Sequence, residues 1–190
     1  MNVPNFLTIS RIFLTCAFAF FLTRGGAVSV ALASIFFALA SFTDFYDGYY
    51  AKKHNLVSDF GKIMDPIADK FLILAAFFIF VRMELVAGWM FALISAREIA
   101  VTGARLMVMQ RGKVLAAEKA GKLKTVSQMA AIFTILASLM FREAGITPWW
   151  LERSWHSGID ALMLCTVGLT LFSGVTYFWN NRRAFRPAAG

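Results

Sequence analysis

Two acidic segments interrupt an otherwise apolar chain: residues 44–52 read Asp-Phe-Tyr-Asp-Gly-Tyr-Tyr-Ala-Lys, and residues 61–70 read Gly-Lys-Ile-Met-Asp-Pro-Ile-Ala-Asp-Lys. Asp44 and Asp47 are three residues apart, and Asp65 and Asp69 are four apart. On helices, these spacings place each pair on one face. A bare carboxylate is costly in lipid, so acids in such surroundings indicate a functional site with a charged partner. Four convergent carboxylates predict a divalent cation as that partner.

The composition favours a membrane protein. The chain has 190 residues, of which 59% are hydrophobic and 16% charged, and its mean hydropathy is +0.65. Soluble domains carry about 25% charged residues. The charges are clustered, which leaves long apolar spans, and residues 1–190 are too few for a second domain. We therefore expect one membrane domain, and no nucleic-acid partner, because no soluble reading module is present.

The apolar spans predict an all-α integral membrane fold with six transmembrane helices. A hydrocarbon layer of about 30 Å needs roughly 20 apolar residues per helix. Spans of this kind cover residues 5–23, 27–51, 61–81, 85–110, 121–141 and 157–179. Helix-stopping and polar residues separate them, including the segment 142–153 with Pro148.

The basic residues predict the orientation of these spans. Fifteen of the 19 Lys and Arg residues fall on one side of the six-span arrangement, and an excess of this kind marks the cytoplasmic side. Both termini and all four acids then lie on that side, so a catalytic cavity would open to the cytoplasm. The first ten residues lack the basic start of a cleaved signal peptide. We expect a bacterial inner (cytoplasmic) membrane protein that crosses the bilayer several times.

The four acids suit a hard metal ion. Mg²⁺ prefers oxygen ligands and shares its coordination with substrate phosphates, and Mn²⁺ is the other candidate. Two ions clamp the attacking and leaving oxygens in a phosphoryl displacement, and four acids could hold such a pair. The alternative is that some of the acids form ion pairs with Lys52, Lys62 or Lys70.

The same residues resemble a known family, the CDP-alcohol phosphatidyltransferases. The family signature is Asp-x2-Asp-Gly-x2-Ala-Arg-x8-Gly-x3-Asp-x3-Asp. Here its positions are Asp44, Asp47, Gly48, Ala51, Lys52, Gly61, Asp65 and Asp69. Only Lys52 departs from the signature, which has arginine there; lysine keeps the charge but lacks the planar fork.

Further segments resemble the bacterial branch of this family that uses glycerol 3-phosphate as acceptor. They are residues 4–8 with Arg11, residues 65–70, residues 96–99 with Arg105, and residues 121–125 with Gln128 and Met129. The resemblance extends over residues 2–130. It implies a homodimer of six-helix subunits that transfers a phosphatidyl group from CDP-diacylglycerol to glycerol 3-phosphate and releases CMP.

The resemblance also implies roles for particular residues. Asp44, Asp47, Asp65 and Asp69 are expected to hold the metal ions, with Asp69 as the general base. The donor CDP-diacylglycerol is expected near Gly48, Ala51, Lys52 and Gly61. Asn5, Thr8 and Arg11 either line the nucleotide side of this pocket or form a capping and interfacial segment.

The acceptor carries a phosphate, which requires cations in the cavity. Arg97 and Arg105 lie in an apolar span and are eight residues apart, which is about 80° on a helix. Lys122 and Lys124 begin the next span. Arginine binds phosphate through two parallel hydrogen bonds and lysine binds it as a point charge. These four residues are the predicted acceptor-phosphate ligands; the alternative is that they only set the topology. Glu98, beside Arg97, is expected to be a structural partner rather than a catalyst.

Two other functions compete with this prediction. A sibling transferase would use inositol phosphate, serine or phosphatidylglycerol as acceptor, and the acidic signature does not distinguish these. A divalent-cation transporter would often show internal repeats and broken helices at the membrane midplane, and the sequence has neither sign. Cys16 and Cys165 lie in apolar spans and are predicted to be small buried side chains.

Overall fold

The computed structural model describes residues 3–54, 59–110, 119–146 and 149–182, and it describes side chains within residues 9–43, 70–109, 121–146 and 155–182. This part of the chain is helical, which confirms the all-α prediction. Its six helices are α1 (Val3–Arg24), α2 (Ala27–His54), α3 (Asp59–Arg82), α4 (Gly88–Gln110), α5 (Lys119–Glu143) and α6 (Trp149–Asn180). Each helix contains most of one predicted span.

Two helix starts differ from the prediction. α4 begins at Gly88 rather than near residue 85, because the C-terminal turn of α3 uses the residues before it. There the Leu85 N–H donates to the Phe80 carbonyl at 2.9 Å, and the Glu84 N–H donates to the Val81 carbonyl at 3.0 Å. The backbone of Glu84 has the left-handed conformation, with φ 59°, as this type of helix end requires.

α6 begins at Trp149, eight residues before the predicted start of its span. The prediction treated residues 142–153 as a break because they contain Pro148 and charged residues. Proline interrupts a helix interior but is compatible with a helix start, where the first N–H groups have no helical partner. The polar residues after Pro148 therefore form the first turns of α6.

Aromatic side chains form the centre of the bundle. Phe18 and Phe37 are fully buried, with their ring centroids 5.3 Å apart, and Phe37 lies at the same distance from Phe133. These contacts join α1, α2 and α5. α1 also packs against α3, α5 packs against α3 and α6, and α4 packs against α3 and α6. Because α3 and α6 each contact both α4 and α5, these four helices can surround a shared site.

The outer surface of the bundle is apolar. Phe13 is 72% exposed, and Val28, Val175 and Trp179 are each about two-thirds exposed or more. Such extensive apolar exposure marks a membrane surface or a partner surface. Within the described residues, Gly121–Glu143 and Trp155–Asn180 are long and apolar enough to cross a membrane, and Ala27–Thr43 is a shorter apolar helix. The structure thus has the apolar helices of a membrane-associated protein.

The prediction for the cysteines is wrong. Cys16 and Cys165 are free thiols on the outside of the bundle and both are exposed. The prediction assumed that an apolar span hides its small residues in a protein core. On a helix with an apolar outer surface, a thiol faces an equally apolar environment without being buried.

One end of the bundle is fixed by a contact between distant residues. The Gly26 N–H, at the start of α2, donates to the Glu143 carboxylate at 3.1 Å. Gly26 has φ +83°, which glycine adopts without steric cost. The turn between α1 and α2 therefore lies beside the C-terminal end of α5. The helix ends that carry most of the basic residues lie at the other end of the bundle.

Candidate functional site

A cavity of about 560 Å³ lies among α3, α4, α5 and α6. It is at the end of the bundle away from Glu143, since it involves the last turns of α4 and α6 and the first turns of α5. Among the described residues, its charged lining residues are Lys70, Arg97, Glu98, Arg105, Lys122 and Lys124. The structure thus brings the four predicted acceptor-phosphate residues into one cavity. The five cations and one carboxylate of this described lining leave an excess of positive charge, which favours an anionic ligand.

A buried carboxylate organises the cations of this cavity. Glu98 is 1% exposed, and its Oε1 accepts a charge-assisted hydrogen bond from Lys124 Nζ. The same oxygen accepts from Gln128 Nε2 at 3.3 Å and from Arg97 Nη1 at 3.4 Å. Lys70 Nζ lies 3.6 Å from the other carboxylate oxygen. Glu98 on α4 therefore fixes side chains from α3 and α5 as well as its own neighbour.

The Arg97 side chain is fixed from α6 as well. Its Nη2 donates to Ser173 Oγ at 2.8 Å. A Cβ atom on Gly174 would lie 3.0 Å from the Cγ atom of Arg97. Glycine at this position lets the stem of Arg97 pass close to the α6 backbone. The orientation of the guanidinium therefore depends on two consecutive residues of the last helix.

The remaining cations lie towards the mouth of the cavity. Arg105 and Lys122 are exposed, whereas the side chain of Arg97 is 10% exposed and that of Lys124 is 2% exposed. The guanidinium carbon of Arg105 lies 5.9 Å from the centroid of the Tyr177 ring, within the range of a cation–π contact. An anion entering the cavity thus meets exposed cations first and buried cations further inside.

Sequence reasoning gave no role in this cavity to Lys70, Ser173 and Tyr177, which also line it. The signal for the two α6 residues is a stripe of hydroxyl side chains in an apolar helix. Thr166, Thr170, Ser173 and Tyr177 follow one another at spacings of four, three and four, and all are buried. This spacing places them on one helix face, and buried hydroxyls in an apolar helix indicate a contact that needs them.

The donor-side predictions fall mostly outside the described side chains. Arg11 is the exception: it is 1% exposed and belongs to α1, which packs against α2 and α3. The others are Asn5, Thr8, Asp44, Asp47, Gly48, Ala51, Lys52, Gly61, Asp65 and Asp69, whose side chains lie outside the described residues. Asp44 and Asp47 belong to the second half of α2, and Asp65 and Asp69 to the first half of α3.

The described side chains contain no cluster of acidic, histidine and cysteine residues that could hold a metal ion. The four aspartates are not among them. The backbone places them in the second half of α2 and the first half of α3, two helices that contact each other. Carboxylate oxygens are the ligands that Mg²⁺ and Mn²⁺ prefer, so the donor set itself fits these ions.

Known proteins share this sequence over most of its length. The CDP-alcohol phosphatidyltransferase family matches residues 1–172. A Bacillus subtilis protein named CDP-diacylglycerol–glycerol-3-phosphate 3-phosphatidyltransferase is 37% identical over 199 residues, which cover 98% of each chain. A Rickettsia typhi protein of the same name is 37% identical over 135 residues, 71% of this chain and 76% of its own.

A more distant relative also matches from end to end. A Mycobacterium tuberculosis protein named probable phosphatidylglycerophosphate synthase is 33% identical over 192 residues, covering 100% of this chain and 84% of its own. The family match extends over α1 to α5 and most of α6, and so includes both acidic segments and the cations of the cavity on α3, α4 and α5. The chain belongs to the CDP-alcohol phosphatidyltransferase family.

Proposed function

We propose that this protein transfers the phosphatidyl group of CDP-diacylglycerol to glycerol 3-phosphate, giving phosphatidylglycerophosphate and CMP. The observation that carries the proposal is the cavity in which Arg97, Arg105, Lys122 and Lys124 meet. Its excess positive charge suits an acceptor that bears a phosphate. The names of the Bacillus subtilis and Rickettsia typhi relatives specify this reaction.

In the proposed reaction, the acceptor phosphate binds in the cavity and the terminal hydroxyl of glycerol 3-phosphate faces the donor. The hydroxyl oxygen attacks the phosphorus that carries diacylglycerol, the bond from this phosphorus to the CMP oxygen breaks, and Asp69 takes the hydroxyl proton. Positioning and charge neutralisation provide most of the rate in reactions of this kind. Arg97 and Lys124, both already oriented by Glu98, lose little freedom when they bind the phosphate.

Divalent ions belong to the same proposal. Asp44, Asp47, Asp65 and Asp69 would hold Mg²⁺ or Mn²⁺, two ions per site, which neutralise the diphosphate of the donor when bound. The residues assigned to the donor itself are Asn5, Thr8, Arg11, Gly48, Ala51, Lys52 and Gly61. We also expect a homodimer, on the family resemblance alone.

The acceptor is tested with a panel. Purified full-length protein with CDP-diacylglycerol and Mg²⁺ or Mn²⁺ is offered glycerol 3-phosphate, inositol phosphate, serine or phosphatidylglycerol, and CMP release is followed. We expect rapid release with glycerol 3-phosphate only, and none after chelation of the divalent ion. Preference for any other acceptor would replace the proposed reaction with that of a sibling enzyme. Serine is disfavoured, because it has no phosphate to match the cations of the cavity.

Arg97→Ala is expected to raise the KM for glycerol 3-phosphate by about 10- to 100-fold, the worth of one charge-assisted hydrogen bond. The KM for CDP-diacylglycerol is expected to change much less, since Arg97 lies in the acceptor cavity. Steady-state kinetics with each substrate varied in turn measure both values. Arg182→Ala is the matched control, because Arg182 is exposed and stacks on Trp179 instead of lining this cavity. Equal increases in the KM values for both substrates in Arg97→Ala would indicate that Arg97 has a general folding role.

We place the protein in the bacterial inner membrane with six spans and both termini in the cytoplasm. The basic cavity end would then face the cytoplasm, and the end with Glu143 the other side. Cys16 and Cys165 are first replaced by alanine, and then single cysteines are introduced by Ile146→Cys or Arg182→Cys at exposed positions of opposite ends. A membrane-impermeant maleimide is expected to label the Ile146→Cys protein in intact cells. It is expected to label the Arg182→Cys protein only after permeabilisation, and the reverse pattern would refute this topology.

A further inference from the structure

Tyr177 has a buried hydroxyl that no described residue pairs with, in a cavity lined by polar and charged side chains. The residue is 3% exposed and lines the cavity of the cations. Its hydroxyl oxygen is buried, and no described residue forms a hydrogen bond with it. A buried hydroxyl without a partner destabilises a protein, so most are paired. The buried hydroxyl of Tyr177 therefore calls for a partner that enters the cavity.

The neighbours of Tyr177 indicate which part of a ligand this would be. Its ring lies against Arg105, and on the preceding turn of the same helix Ser173 holds Arg97. The phosphate of the acceptor is served by these two guanidinium groups and by the lysines. The neutral phenol of Tyr177 adds little to these cations as a phosphate ligand. It both donates and accepts hydrogen bonds, however, as recognition of an alcohol requires.

We propose that the Tyr177 hydroxyl binds the middle hydroxyl of glycerol 3-phosphate and so selects the acceptor. This inference rests on the proposed function. The middle hydroxyl is on the carbon next to the one that bears the phosphate, so a phosphate bound at Arg97 and Arg105 places it close to the same face of α6. Tyr177 and Ser173 lie beyond the residues that match the family.

The contact also has a chemical consequence. Glycerol 3-phosphate has two hydroxyls, and only the terminal one reacts in the proposed transfer. Holding the middle hydroxyl on Tyr177 leaves the terminal oxygen free to face the donor, and correct orientation of reacting atoms is a major part of catalysis. A site that is built to bind a substrate hydroxyl also rejects analogues that lack it, because its own polar group is then left unpaired.

The test compares two acceptors and two proteins. 3-Hydroxypropyl phosphate has the terminal hydroxyl and the phosphate of glycerol 3-phosphate but no middle hydroxyl. We expect the unaltered protein to favour glycerol 3-phosphate by about 10- to 100-fold in kcat/KM, the worth of one buried hydrogen bond. In Tyr177→Phe we expect this preference to fall to about threefold or less, because kcat/KM drops for glycerol 3-phosphate and stays nearly constant for the analogue.

A control variant and a stability measurement complete the test. Thr176→Val removes a hydroxyl from the adjacent position, where it bonds only to carbonyls of its own helix, those of Phe172 and Ser173; we expect it to keep the full preference. Tyr177→Phe keeps the ring and removes an unpaired hydroxyl, so the Tm of the protein without substrate is expected to stay the same or rise.

Three outcomes would overturn the inference. An equal loss of kcat/KM for both acceptors in Tyr177→Phe would assign the hydroxyl to the phosphate or to the architecture of the cavity. An unchanged preference would show that Tyr177 does not contact the middle hydroxyl. If the unaltered protein releases no CMP with glycerol 3-phosphate, the proposed function itself fails and the Tyr177 contact fails with it.

Discussion

Asp69→Asn is expected to lower kcat by about 10²- to 10⁴-fold, the usual contribution of a general base. Asparagine has nearly the same shape as aspartate but cannot accept the proton of the attacking hydroxyl. If the other three aspartates hold the divalent ions, binding of CDP-diacylglycerol is expected to survive. Single-turnover CMP release measures the chemical step, and retention of radiolabelled CDP-diacylglycerol on the purified variant measures donor binding.

Asp160→Asn is the matched control for Asp69→Asn. Asp160 is an exposed aspartate on α6 beside His156 and Glu84, at the end of the bundle away from the cavity of the cations. We expect the Asp160→Asn protein to keep kcat within about twofold, because surface substitutions away from the core and the active site usually have little effect. An Asp69→Asn protein that turns over as fast as the Asp160→Asn protein would remove Asp69 from the role of base.

Glu98→Gln is expected to destabilise the fold by about 3–5 kcal/mol, the cost of removing one partner of a buried ion pair. The carboxylate lies within 3.6 Å of the amino group of Lys70 and accepts a hydrogen bond from Lys124. Lys124 is 2% exposed, so it would be left as a buried charge without a counter-charge. For a chain of this size the loss corresponds to a Tm about 6–20 °C lower, which thermal unfolding in detergent measures.

Two variants separate this ion-pair effect from a general loss of packing. Glu143→Gln makes the same change at an exposed ion pair, where the carboxylate is 30% exposed and 3.8 Å from Arg142. Glutamine can still accept the hydrogen bond from the Gly26 N–H, so we expect a cost of about 1 kcal/mol or less. Combining Glu98→Gln with Lys124→Met removes both charges and is expected to recover part of the lost stability. A double variant that is less stable than Glu98→Gln alone would contradict the buried-charge account.

Much of the fold could be predicted from the sequence because a helix that crosses lipid needs roughly 20 apolar residues, and apolar spans of that length are visible in the sequence. Six apolar spans separated by polar breaks correspond to the six helices in the part of the chain that the structure describes, and the arginines within an apolar span were recognisable because charge is costly there. The predicted start of α6 was wrong because proline marks either a break or a helix start, and the local sequence does not distinguish the two.

The contribution of α6 to the cavity could not be predicted in the same way. Ser173 and Arg97 are 76 residues apart, and nothing in local spacing pairs them. Their contact depends on how α6 lies against α4, which Gly174 permits by its lack of a side chain. The sequence indicates Lys70 only as a possible ion-pair partner of the aspartates, since a lysine beside Asp69 also fits the cytoplasmic excess of basic residues. Its pairing with Glu98 needed the packing of α3 against α4.

The central claim is that the acceptor phosphate binds among the buried cations of α4 and α5. The most direct measurement is an experimental structure of the full-length protein in lipid nanodiscs with glycerol 3-phosphate and Mg²⁺. We predict density for the phosphate within hydrogen-bond distance, about 2.7–3.2 Å, of the nitrogens of Arg97 and Lys124. Glycerol 3-phosphate bound elsewhere, with this cavity filled by lipid or water, would contradict the account.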